Sequence, residues 1–127
     1  MTDPIADLLT RIRNAQKAQI QYVSIPHSRI KFELAQKLVE AKYVKTVEEK
    51  GEGKEKEIIV ELDFDRVTPL TLKRVSRPGQ RIYKKKDDLK VIMNGLGAEI
   101  LSTSQGIKTN YEAYKENLGG EVLCLVY

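Results

Sequence analysis

Ile5, Leu8, Leu9, Ile12 and Ala15 recur at three- and four-residue spacing, the pattern of a helix with one buried face. Asp3-Pro4 ahead of them reads as an N-cap followed by proline at the first helical position, leaving Arg11, Asn14 and Lys17 outside the apolar stripe. Tyr22-Val23-Ser24-Ile25 alternates as a short strand and stops at Pro26. Ser28 is placed to cap a second helix whose core face is Ile30, Leu34, Leu38 and Ala41. Residues 44–47 and 57–62 read as two strands. The loop 48–56 between them carries Gly51 and Gly53 among alternating charges and is expected to be mobile.

The pattern changes after the stretch 63–69, which holds a proline. Residues 70–75 predict a strand, Ser76-Arg77-Pro78-Gly79 a turn, and 81–83 a further strand. Asp87 and Asp88 open a predicted short helix running to Met93 and ending at Asn94-Gly95. Strands are expected at 98–101 and 106–108, and Thr109 with Glu112 has capping-box spacing for another short helix. Asn117-Leu118-Gly119-Gly120 turns the chain into a last strand, 121–126. The expected fold class is therefore α+β with two small subdomains. These are an N-terminal α-β-α-β-β unit, 1–64, and a β-rich unit with short helices, 65–127.

Charge sharpens this division. The chain has 127 residues, 31% of them charged, with a net charge of +4 and a pI near 9.1, a balance that favours acidic partners. Residues 1–47 carry eight Lys/Arg against four Asp/Glu, 48–65 carry three against eight, and 66–127 carry eleven against six. Two basic lobes flank an acidic connector, so a polyanion is expected to be gripped by the lobes. The single cysteine, Cys124, has no intrachain partner, which fits a reducing compartment. No apolar signal core stands at the amino terminus, and the longest apolar run, 122–127, is too short to span a bilayer. The expected location is the cytoplasm, or an organelle with bacterial-type translation.

Catalytic material is scarce. His27 lies between Pro26 and Ser28 with no neighbouring acid in the sequence and reads as a surface residue, while Cys124 reads as inert core. One His and one Cys give no metal-ligand spacing. Asp63-Phe64-Asp65 starts like a calcium loop but has Thr68 where glycine is needed. Gly106-Ile107-Lys108-Thr109 separates the glycine of a phosphate loop from its lysine, and Gly95-Leu96-Gly97 lacks the third glycine of a dinucleotide loop. No catalytic residue, metal or cofactor is expected.

The basic stretch offers more. Lys73, Arg74, Arg77, Arg81, Lys84, Lys85 and Lys86 fall within fourteen residues with no acid among them, and they surround Tyr83. An aromatic flanked by cations suits stacking on a base while its neighbours hold phosphates. With about five of these seven on phosphates, log affinity would fall against log salt at a slope near −4. Downstream, Ser102-Thr103-Ser104-Gln105-Gly106 forms a hydroxyl-rich turn whose glycine permits close approach to a nucleic-acid backbone. Two other classes compete with RNA binding. A small enzyme acting on RNA would need a base, nucleophile or metal, and a protein-interaction module would use the acidic region 48–61.

Several segments match one family in order and register. Asp3-Pro4-Ile5-Ala6-Asp7-Leu8-Leu9-Thr10-Arg11-Ile12-Arg13-Asn14-Ala15 resembles the opening helix of the eighth small-subunit ribosomal protein, bacterial type. Arg74-Val75-Ser76-Arg77-Pro78-Gly79-Gln80-Arg81-Ile82-Tyr83 is similar to its central motif. Asn94-Gly95-Leu96-Gly97, the Ser102–Gly106 turn and Leu118-Gly119-Gly120-Glu121-Val122-Leu123-Cys124 are similar to its carboxy-terminal signature. The sequence departs at Lys90, where relatives often carry proline, at Lys108, where an apolar residue is common, and at Asn110, which replaces a frequent aspartate at the last helix cap.

The resemblance implies a non-enzymatic primary rRNA binder that organises the central domain of 16S rRNA during small-subunit assembly. It implies rRNA contacts from Ser102, Thr103, Ser104, Gln105 and Gly106 in the minor groove. Arg77, Tyr83, Lys84 and Lys85 would stack and meet phosphates, and Thr10, Arg11 and Asn14 would meet a second rRNA helix. Neighbouring small-subunit proteins of the fifth and twelfth families are expected partners, with a monomer off the ribosome, no membrane contact and, in some relatives, repression of their own messenger RNA.

Overall fold

Helix α1 (Pro4–Lys17) begins at the expected proline and buries Ile5, Leu8, Leu9, Ile12 and Ala15. In the computed structural model, residues 3–66 and 68–127 are described. They continue as strand β1 (Tyr22–Pro26), helix α2 (Arg29–Glu40), strands β2 (Thr46–Lys50), β3 (Glu57–Glu61), β4 (Leu72–Arg74), β5 (Tyr83–Lys84), β6 (Ala98–Thr103) and β7 (Gly106–Thr109), helix α3 (Asn110–Lys115) and strand β8 (Gly120–Val126). The α+β class is correct. Two compact units result, Pro4–Leu70 and Thr71–Tyr127, with Asp3 belonging to the latter. The division falls after Leu70, and the expected boundary region 63–69 includes Val67, which lies outside the described residues. Arg66 ties its segment to the first unit by donating to the Lys42 carbonyl at 3.2 Å and lying 5.3 Å over the Tyr43 ring.

The first unit is a three-stranded antiparallel sheet, order β1-β3-β2, with two helices. Ser28 caps α2 as expected, its hydroxyl accepting from the Lys31 amide. The buried face of α2 is Leu34, Ala35 and Leu38 together with Lys31 and Lys37, while Ile30 and Ala41 are half-buried. Lys31 is tolerated inside because its ammonium meets Asp7 at 3.1 Å and its stem is apolar. The predicted loop 48–56 is shorter than expected. Strand β2 runs on to Lys50 and a 3-10 turn occupies Gly53–Glu55, because Glu48 and Glu49 pair with Ile59 and Ile58 of β3. An edge strand with both faces wet shows no hydrophobic alternation, so ladder hydrogen bonds rather than burial hold it.

Burial raises the Asp7 carboxyl, but hydrogen bonds and charge from Arg11 and Lys31 outweigh it and leave the group below the usual carboxylate range. Lys56 and then His27 lower Glu49, and Gln21 and Thr46 lower Glu61. A carboxylate lowered in the folded state adds stability above its unfolded pKa and loses that contribution as pH falls through the folded value. The melting temperature is thus expected to drop more steeply between about pH 5 and pH 3 for the native chain than for Asp7→Asn. Parallel slopes in calorimetry would remove Asp7 from the acid response.

In the second unit β8 is central, with order β4-β8-β6-β7 and with β5 also on β8, beyond β4 along the same edge. Leu89, Leu101, Ala113 and Val122 form a small core, with Val75 and Leu118 against it. The helix expected at 87–93 is absent. A 3-10 turn at Lys86–Asp88 and another at Met93–Gly95 flank a nonhelical stretch. The Ile92 amide that a helix there would use is taken by the Tyr111 hydroxyl. Asn110 is only 1% exposed; its amide donates to the Lys90 carbonyl at 2.6 Å, and its oxygen accepts from the Glu99 amide at 3.1 Å. The cap of α3 is Thr109, in a capping box with Glu112, so Asn110 is a bridge rather than a cap.

Candidate nucleic-acid interface

Strands β6 and β7 pair antiparallel, with Thr103 opposite Gly106 and only Ser104 and Gln105 between them. The one positive φ of the turn, +104°, falls on Gly106. Thr103 builds the turn from within, its Oγ1 donating to the Gly106 carbonyl at 2.7 Å and accepting from the Gln105 amide at 3.1 Å. This leaves Ser104 and Gln105 exposed at the tip and Ser102 half-buried beneath. Thr103 is thus a scaffold for the other two, and its hydroxyl is already engaged.

Register brings the tyrosine to this turn. Tyr83 of β5 opposes Glu121 of β8, and Glu121 opposes Ser102 of β6. Directly opposed residues project to one face, so Tyr83, Glu121 and Ser102 share a row, with outer Cα atoms about 10 Å apart by two strand spacings. Tyr83 is 69% exposed. The next row holds Lys84, Gly120 and Thr103. A Cβ on Gly120 would overlap the Ser102 carbonyl, and one on Gly119 would come within 2.6 Å of the Lys84 carbonyl. The two glycines let the three strands close.

The acid-free stretch of the sequence is not acid-free in space. Arg74 donates to Asp3 at 3.1 and 3.2 Å and to the Leu123 carbonyl. Arg81 meets Glu121 at 3.1 Å, and Lys84 meets the buried Glu99 at 2.9 Å. Lys86 stands 4.4 Å from the Tyr114 ring centroid and 3.9 Å from Asp87. Lys73 stands 5.6 Å from the Tyr127 ring. Only Lys73, Arg77 and Lys85 have no carboxylate partner among the described residues. The other four of the seven cations of the stretch are engaged with carboxylates within the chain.

Four residues at the site escaped the sequence reading. Ser76 is fully buried, and its hydroxyl accepts from the Ile82 amide at 2.7 Å and donates to the Ile82 carbonyl at 3.2 Å, closing the base of the loop that presents Arg77. Pro78 and Gly79 form its tip, with Arg77 and Gln80 exchanging backbone hydrogen bonds. Glu99 and Glu121 are the acids that take Lys84 and Arg81, and Asn110 holds β6 to segment 90. None carries a local signal, since each acts on a partner distant in sequence or through the backbone.

Thr10, Arg11 and Asn14 are exposed on α1, in the first unit. Arg11 pairs with Asp7 at 3.1 Å, an exposed i,i+4 contact of small worth. His27 does have an acid beside it. Its Nε2 is 3.1 Å from Glu49, supplied by strand β2. Cys124 is buried, and desolvation pushes its thiol up to about 12, far from any reactive thiolate. Among the described residues no cluster of three or more His, Cys, Asp or Glu could hold a metal, and no helix is long and apolar enough to cross a membrane.

The family model described as Ribosomal protein S8 matches residues 3–127. The chain is 49% identical to the small ribosomal subunit protein uS8 of Rubrobacter xylanophilus over 130 residues, covering 100% of this chain and 98% of that protein. It is 48% identical to uS8 of Caldanaerobacter subterraneus subsp. tengcongensis and 47% to that of Clostridium novyi, with the same coverage of both chains. A match across the whole chain, on a fold that sets a hydroxyl-tipped hairpin beside an exposed tyrosine, assigns this chain to the ribosomal protein S8 family.

Proposed function

We propose that this protein binds the central domain of 16S rRNA, with Ser104, Gln105 and Tyr83 probing an irregular helix and Arg77 and Lys85 holding its backbone. As a member of the S8 family it is a structural ribosomal protein of the small subunit and not an enzyme. The observation that carries the RNA reading is the row Tyr83-Glu121-Ser102, which joins a stacking face to the hydroxyl tip. Ser102, Thr103 and Gly106 shape that tip. Lys84 reaches phosphate only by giving up Glu99. Thr10, Arg11 and Asn14 supply the contact to a second rRNA helix. The fifth and twelfth small-subunit families are the proposed protein neighbours, and an mRNA element with the same shape would allow repression of its own synthesis.

A titration of the full chain against the central-domain rRNA helix and an unrelated duplex tests this at moderate salt. Ser104→Ala and Tyr83→Ala are each expected to weaken specific binding by about 1–3 kcal/mol, with a salt slope of about −2 to −3 for the native chain. Equal affinity for the two RNAs would sink the proposal. Unchanged affinity in both variants would move the contact elsewhere on the protein.

A further inference from the structure

We propose that the groove between segment 89–91 and α3 receives an unpaired nucleotide of single-stranded RNA, with its base on Tyr114 and its phosphates on Lys86, Lys90 and Lys115. This goes beyond the hydroxyl-turn contact, shares none of its residues, and rests on the preceding reading only in taking RNA as the partner. The groove has a volume of about 930 Å³, within the range of small-ligand sites. Tyr111 and Tyr114 line it at i,i+3, one above the other on the helix surface. The Tyr111 hydroxyl donates to the Gly97 carbonyl at 2.6 Å and accepts from the Ile92 amide at 3.2 Å, which fixes the ring as a wall.

Tyr114 is 52% exposed, and what stands over its ring is a cation, Lys86, at 4.4 Å from the centroid. A base offers that ring a larger π-face than an ammonium does, and the released Lys86 is then beside the phosphate of the incoming nucleotide. Charge selects the same occupant. Three lysines line the groove against one carboxylate, Glu112, which is already accepting from the Thr109 amide at 3.0 Å. Flat aromatic surface alternating with ammonium groups complements the base–phosphate alternation of an extended strand. An acidic peptide would satisfy the lysines but leave the tyrosine faces without a stacking partner.

The chain contains no tryptophan, so Tyr114→Trp in the full protein introduces a single indole whose emission reads this groove alone. The probes are a six-residue oligoadenylate, a ribose-phosphate chain of equal length without bases, and hexaglutamate. Saturable quenching by oligoadenylate is expected, with binding of the base-free chain about tenfold or more weaker and no response to hexaglutamate. Lys90→Glu, an exposed change outside α3, is expected to weaken oligoadenylate binding about tenfold in the same background. Absence of quenching by oligoadenylate, or no effect of Lys90→Glu, overturns the proposal. Equal binding of the base-free chain would mean charge attraction without stacking, and a response to hexaglutamate would mean a protein-type anion site; either overturns it too. Binding here is read at position 114 with a short single strand, and binding at the hydroxyl turn is read with a folded rRNA helix. Failure of one therefore leaves the other standing.

Discussion

Gly120→Ala is expected to lower stability by about 3 kcal/mol and to weaken binding of the rRNA helix more than tenfold even where the variant is folded. The added Cβ meets backbone, not a movable side chain. It overlaps the Ser102 carbonyl and approaches Thr103 Cα to 3.2 Å, so β6 and β8 must part at their paired ends. Those ends carry the turn that bears Ser104 and the row that holds Tyr83 beside it. Denaturant unfolding and an RNA titration in the cold separate the two effects. Gly79→Ala is the control. Nothing lies within 4 Å of its Cβ and its φ is ordinary, so stability should change by less than about 0.5 kcal/mol. Equal behaviour of the two variants would refute the close-approach account.

Leu101→Ala is expected to cost about 3–4 kcal/mol. Leu101 is fully buried in a small cluster with Leu89, Ala113 and Val122, where truncation leaves a cavity under the sheet. It also stands one residue before Ser102, on the opposite face of β6, where it holds the strand down against its neighbours. The measurement is the denaturant midpoint at constant m-value. A cost below about 1 kcal/mol would mean that the core under the site collapses to fill the cavity.

Local signals account for much of what was legible. Helix α1 follows from the spacing of five apolar residues, the starts of α2 and α3 from Ser28 and the Thr109/Glu112 pair, and the hairpin from glycine after a run of hydroxyls. Each is a short-range regularity in which the residues that specify an element lie inside it. Strand β2 and the segment after Lys86 were misread for the opposite reason. A wet edge strand is held by its partner's backbone, and the Ile92 amide that a helix at 87–93 would use is taken by Tyr111 from nineteen residues away.

The site divides along the same line. The identity of the proposed contact groups, with Ser104, Gln105, Tyr83, Arg77 and Lys85 among them, is written in the chain, because chemical type belongs to the residue itself. Which cations keep their charge available is decided by folding. Arg74, Arg81 and Lys84 lie in an acid-free stretch of sequence, yet each meets a carboxylate brought in by the fold, from Asp3, Glu121 and Glu99. Coulomb attraction depends on distance in space and is blind to separation along the chain, so only the tertiary structure could settle that account. The sequence by itself determined the α+β plan and the chemistry on offer. The pairing of β5 and β6 across β8 determined that the tyrosine and the hydroxyl tip stand on one surface.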